Sequence, residues 1–429
     1  MTDRRRSRRS WLALTVGAVL VAAACQTQGT APPTNTVLVY ATWGGSEQDA
    51  FLAMVKPWED QNSATVGYLG TRGLGTVLTT GIATNTLPDL SGLPGPGEMA
   101  EFARGGNLVD LGTVLDGDKY RAETPQAFVD LGTVDGKLVA VFMKVSPKGL
   151  IWYNPKVYTG GTPTSWDDLV AKGEAAAQAN NASVWCVGFE SAADSGWPGT
   201  DWIEDIVIRQ AGPEVYDEWV AGTRKWTSPE IKSAFEFFGD VIDATYGGPN
   251  TINATNFGNG GDGLFTDPPT CIFHHQASFM SGFFTTNFPE VVAGEDFDFF
   301  FMPDIDAQFT GALTGGGDLF GMFKKTDLST SLMQWLVTAD AQAIWAGALS
   351  GYIPSNKNVP ESAYLDEPTR RGAAAVGAAT VFRFDGGDLM PNEMKAAFFK
   401  AMVDFAADQS QLDAILQRLD ETQASAYQQ

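Results

Sequence analysis

The chain has 429 residues and a formal net charge of −23, from 51 Asp and Glu against 28 Lys and Arg. A body this acidic repels phosphate backbones, which argues against nucleic acid as a partner and against anionic ligands. The only two histidines, His274 and His275, are adjacent, so no His-based zinc motif can be built and no metal or cofactor is expected, while the length exceeds what one core usually serves and predicts two lobes.

Arg4, Arg5, Arg6, Arg8 and Arg9 form a positive head, and Trp11 to Ala24 is a 14-residue apolar run. That run is too short to span a bilayer, so residues 1–24 read as an export signal. Ser7 to Leu12 is similar to a twin-arginine signal, and Ala22, Ala23 and Ala24 before Cys25 resemble a lipobox, with Ala22 where Leu is more usual. Lipidation of Cys25 is expected; the alternative is cleavage after an Ala-x-Ala site and release of a free protein. Loss of five Arg and one Asp with the signal leaves a charge of −27. Cys186 and Cys271 then remain as an even pair in an oxidising compartment. They form either a disulfide closing a loop of about 85 residues, worth roughly 4 kcal/mol on the chain-entropy model, or two buried thiols.

Residues 25–36 have no apolar periodicity and read as a flexible linker. Val37 to Tyr40 is a buried-strand run, followed by the turn Trp43-Gly44-Gly45-Ser46 and an amphipathic helix over 48–62 carrying Phe51, Leu52, Val55 and Trp58. A strand at 64–69 completes β-α-β and predicts α/β layers with parallel sheets. A hairpin is expected around Asp135-Gly136, a strand at 150–153 and a helix at 165–179. Ser228-Pro229 is a helix start with Ser as cap. Strands follow at 270–273 and 297–302, then helices at 329–338, 341–348, 392–406 and 410–424.

The segment from Trp185 to Asp205 concentrates Trp185, Trp197, Trp202 and Phe189 beside Asp201, Glu204 and Asp205. Aromatic faces beside fixed carboxylates suit a sugar ring, whose C–H face packs on an indole while its hydroxyls donate to Asp and Glu. Trp43 and Glu47, in the turn after the first strand, offer the same pair of functions at a strand's carboxyl end. Gly315-Gly316-Gly317-Asp318 interrupts two strand-like runs, as a bulge or as a close approach to a ligand. One of the two histidines is expected to pack and the other to reach the cleft. No nucleophile elbow or spare cysteine supports covalent catalysis, so no catalytic residue is assigned.

The blocks TWGG (42–45), LPDLSGLPGPGEMAEFARGGNLVDL (87–111), GLIWYNPKVY with PTSWDDL (149–169), 185–205, DPPTCIFHHQASF (267–279), GGGDLFGMF (315–323) and FDGGDLMPNEMKAAFFKAMVDF (384–405) together resemble the extracellular solute-binding proteins of carbohydrate ABC importers, most closely the alpha-glucoside-binding type. The resemblance implies an α/β, two-lobed, periplasmic-binding-protein-like (type II) fold with the ligand cleft between lobes. Lobe 1 is expected over 37–146 and 304–338, and lobe 2 over 147–303 and 339–429. It implies a Cys186–Cys271 disulfide, a monomer held at the outer face of the cell membrane by lipid on Cys25, and no enzymatic activity. Its partners would be an oligosaccharide and the transmembrane subunits of an ABC permease; the alternatives are a secreted glycoside hydrolase working through two of the many carboxylates, and a receptor of the same fold for a non-sugar ligand. Ligand contacts are expected from Trp43, Ser46, Glu47, Gly95, Trp197, Asp201, Gln276, Gly316, Gly317, Asp318 and Phe399; at Phe399 relatives often carry a tryptophan.

Overall fold

The computed structural model describes residues 35–93, 95–379 and 381–428. The expected export signal and Cys25 lie outside these, as does nearly all of the linker. No helix among the described residues is long and apolar enough to cross a membrane.

The strands among the described residues are, in chain order, β1 (Thr36–Ala41), β2 (Thr65–Gly70), β3 (Leu90–Leu93), β4 (Thr133–Val134), β5 (Lys137–Leu138), β6 (Ala140–Pro147), β7 (Leu150–Tyr153), β8 (Ser183–Cys186), β9 (Cys271–His275), β10 (Asp298–Phe301), β11 (Ala312–Met322), β12 (Ile353–Pro354) and β13 (Val381–Phe384). The first sheet runs β12-β6-β11-β3-β1-β2, with β13 added on β11, and the second runs β10-β7-β9-β8. β4 and β5 pair alone as the hairpin around Asp135-Gly136. Both main sheets are mixed, not parallel as expected. β1 lies parallel to β2 and β3, but β11 runs antiparallel to β3 and β6, and β7 antiparallel to β9 and β10. The β-α-β start fixes only the local direction; strands that arrive by crossing between lobes enter with the opposite sense.

β1 alternates, with Val37, Val39 and Ala41 buried against the Gly45–Asn62 helix. That helix buries Phe51, Met54, Val55 and Trp58, the three- and four-residue spacing of one face. It starts at Gly45, three residues earlier than the periodicity marks, which places Ser46 and Glu47 in its first turn. A carboxylate there is favoured by the exposed N–H groups of the helix end. β6 is buried along its whole length between β11 and β12. β11 is one continuous strand rather than two, and its register with β6 shifts between Asp318 and Leu319. Gly317 has a packing reason: a Cβ there would lie 2.5 Å from the Lys144 carbonyl oxygen.

The second sheet carries its own core, where Trp185, Phe189, Trp202, Phe238 and Phe273 bury together. Cys186 and Cys271 are disulfide-bonded, with Cα atoms 5.6 Å apart, tying β8 to β9. The two cores make two lobes. Strands leave the first sheet after Pro147 and return with β11. The third passage lies later than the expected crossing near 338. Trp345, on the Ala339–Ala348 helix, meets Trp43 with ring centroids 4.6 Å apart, and β12 and β13 both belong to the first sheet. Residues 339–384 therefore pack with the first sheet, and the second core is rejoined from Met390 onward. Helical periodicity located the Ala339–Ala348 helix but carries no information about which core it covers, and it marked neither the Glu367–Ala378 helix nor β12 and β13.

Candidate functional site

A cavity of about 500 Å³ opens where residues of the two lobes face each other, within the range of small-molecule sites. The floor comes from the end of β6 and the residue that follows it. Ser146 and Lys148 line it, with Gly316, Gly317 and Asp318 of β11 alongside. Lys148 is almost fully buried, and its Nζ lies 2.5 Å from Asp201 Oδ1 and also donates to Asp385 Oδ2. Glu204 closes the group, so that Asp201, Glu204 and Asp385 offer oxygens within 4.8 Å of one another. These are the residues that could hold a metal ion among those described, but an ammonium already sits on two of them.

One buried ammonium cannot neutralise so many carboxyls. Burial pushes Asp201 up to about 7 against the pull of Lys148, and burial followed by repulsion from Asp385 drives Glu204 well above the usual range. Burial would raise Asp385 too, but the attraction of Lys148 and the Asp388 N–H hold it below the ordinary value.

A second polar chain climbs the wall of the first lobe. Trp43 Nε1 donates to Asp318 Oδ2 at 2.9 Å, Lys144 lies 3.0 Å from the same oxygen, and Lys144 also reaches Glu47 at 2.9 Å. Arg72 pairs with Glu47 at 3.0 Å and lays its guanidinium 4.7 Å from the centre of the Phe257 ring on the opposite lobe. Burial opposes ionisation of Asp318, but Lys144, the Trp43 N–H and Arg72 bring it below the ordinary value. Glu98, at the start of the Pro96–Arg104 helix, lies 3.5 Å from Lys395, and its Oε1 has no partner although the residue is only 2% exposed. Burial raises its pKa.

The aromatic face comes from the Trp197–Gln210 helix. Gly196 precedes it at φ +105°, and a Cβ there would sit 2.1 Å from the Phe399 carbonyl oxygen, so only glycine admits this approach. Trp197 is the first helical residue and half-buried, with its ring 5.1 Å from Phe257 and 6.0 Å from Phe279. Lys148 Nζ stands 6.0 Å from its centre. Phe399 lines the cavity from the Asn392–Ala407 helix.

The scan against family models matches residues 53–372 to the bacterial extracellular solute-binding protein family. The chain belongs to that family. Among curated relatives it is 33% identical to the osmoprotective compounds-binding protein GgtB of Synechocystis sp., over 87% of this chain and 90% of that one. It is 32% identical to the alpha-glucosides-binding periplasmic protein AglE of Rhizobium meliloti, over 88% of this chain and 85% of that one. A chitin oligosaccharide binding protein superposes with a TM-score of 0.80 at 20% identity, covering 92% of this chain and 99% of that structure, and so supports the two-lobed fold.

In this solute-binding protein Glu47, Trp197, Gly316, Gly317, Asp318 and Phe399 all line the cavity. Trp43 reaches it too, but its ring is 1% exposed, stacked on Phe320 and met edge-on by Trp345. It therefore offers no open stacking face, and its N–H positions Asp318 instead. Four of the expected contacts are absent from the lining. The Ser46 hydroxyl accepts from Thr286 at 3.0 Å; Gly95 packs on the Asp388 backbone; Asp201 lies behind Lys148. Gln276 is buried, with its Oε1 accepting from the Ala277 N–H.

Neither histidine reaches the cleft. His274 Nδ1 donates to the Cys186 carbonyl oxygen at 2.9 Å and burial lowers its pKa to about 4, while His275 Nε2 meets Asp205 at 2.7 Å. The sequence reading missed Arg72, Glu98, Lys144, Lys148, Phe257 and Lys395. Lys144 and Lys148 carried the one usable signal, as the only charges at the end of a long apolar strand.

Proposed function

We propose that this protein captures a neutral oligosaccharide, an alpha-glucoside, between its lobes and delivers it to an ABC permease without covalent chemistry. The observation that carries this reading is the cavity itself, where Trp197 and Phe399 supply ring faces beside two lining carboxylates, Asp318 held ionised by Lys144 and Asp385 held ionised by Lys148. A pyranose needs both: apolar contact for its C–H face and fixed acceptors and donors for its hydroxyls. The alpha-glucoside specificity is proposed from the likeness to AglE, whose name states that ligand class. The fixed donors and acceptors are already charge-paired, so a neutral ligand leaves those pairs intact where an ionic one would have to break them.

The protein acts outside the cytoplasm, as its family does. We place it there as a monomer on a lipid carried by Cys25, so Cys25→Ser should move it from the membrane fraction to the soluble one; retention in the membrane would refute the anchor. Thermal-shift screening against maltose, trehalose and sucrose, with chromatography of the recovered sugar, tests the central reading. A rise in melting temperature with the sugar intact is expected. Released glucose would overturn the binding-only reading, and no shift with any saccharide would overturn the ligand class.

A further inference from the structure

Phe399 borders two spaces. On one side is the main cavity; on the other a groove of about 260 Å³ runs between residues 193–195 and the Asn392–Ala407 helix. Ala193, Asp194, Lys395 and Phe399 line both, so the groove is a continuation of the cavity rather than a separate hollow. Beyond Phe399 its walls are Ser195, Lys400, Val403 and Asp404. Lys400 and Asp404 pair at 2.7 Å, and the Lys400 side chain is 72% exposed, so this end faces water.

The composition matches the main site in miniature. Phe399 and Val403 give an apolar strip for the C–H face of a ring, and the Lys400–Asp404 pair gives donors and acceptors at its edge, while the Ser195 hydroxyl is committed to the Ala192 carbonyl and the Ser191 N–H.

We propose that the site is open-ended: a disaccharide fills the main cavity, and a third sugar unit leaves past Phe399 to lie in the groove against Lys400 and Asp404. This rests on the saccharide reading of the main cavity. It makes the ligand class short linear oligosaccharides held by one end, not disaccharides alone. The groove end is solvent-facing, so units beyond the third add no contacts.

Calorimetry with the full chain tests this, using matched pairs: maltose and maltotriose, sucrose and raffinose, cellobiose and cellotriose. Wild-type protein should bind the trisaccharide of the preferred pair at least as tightly as its disaccharide. Lys400→Trp fills the groove from an exposed position, and it should weaken the trisaccharide roughly tenfold while changing the disaccharide less than about twofold. Trisaccharide affinity unchanged by Lys400→Trp, or a wild type that takes the disaccharide and rejects the trisaccharide, would overturn the groove while leaving the main site standing. Binding of no saccharide in any pair would instead overturn the reading of the main cavity.

Discussion

Trp197 is the residue on which the aromatic half of the site depends. It opens the helix, it is half-buried, and its ring is not enclosed as Trp43, Trp185 and Trp202 are. Trp197→Ala should weaken sugar binding by about 1–3 kcal/mol, read by calorimetry, with the melting temperature of the free protein nearly unchanged. An equal loss of stability would assign Trp197 to packing instead. Asp205 makes a different prediction. It is fully buried, and although burial raises its pKa, Arg209 at 2.6 Å, His275 and Thr314 bring it down to about 2. The ordinary carboxyl value, about 3.9, describes the unfolded chain. The native carboxylate therefore contributes roughly 2–3 kcal/mol above about pH 5, and this is lost as the pH falls toward 2. Asp205→Asn should lower the melting temperature at pH 7, and the gap to wild type should narrow below pH 4. A gap independent of pH would show that its role is geometric only.

Among the elements, β8 and β9 are held by both their parallel register and the Cys186–Cys271 bond, which closes a loop of 85 residues. Replacing both cysteines by serine should cost about 4 kcal/mol on the chain-entropy model. The sugar affinity should be retained, since neither cysteine lines the cavity. A lost affinity with stability intact would contradict this division of labour. The same region shows what local sequence carries. The strand and helix positions were legible because burial has a period: 2 in β1, and 3 to 4 in the Gly45–Asn62 helix. Ser228 marked the start of the Pro229–Asp243 helix correctly, yet its side chain makes no capping bond. Sheet direction and the partner of the Ala339–Ala348 helix were not legible. Both depend on contacts such as Trp43 with Trp345, which are some three hundred residues apart in the chain.

At the scale of the whole molecule, the site is made where the two lobes meet, and that is why much of it escaped the sequence. Lys148 follows β6 of the first sheet, while its partners Asp201 and Asp385 come from the Trp197–Gln210 helix and the segment after β13. No spacing along the chain relates these three. Glu47 and Asp318 were legible as motif residues, but Arg72, Glu98 and Lys395 stand in ordinary sequence and acquire meaning only across the cleft. Contacts that span it, Arg72 on Phe257 and Lys144 at 5.4 Å from Phe279, give a ligand two walls to hold together. A ligand that touches both lobes stabilises their closed arrangement by its differential affinity for it. The most direct test is a diffraction structure of the protein grown with the disaccharide that gives the largest thermal shift. Density for two rings is predicted in the main cavity, one of them against Trp197, with hydroxyls within hydrogen-bond reach of Asp318 or Lys148. Sugar density elsewhere on the molecule, or an empty cavity at saturating sugar, would contradict the account.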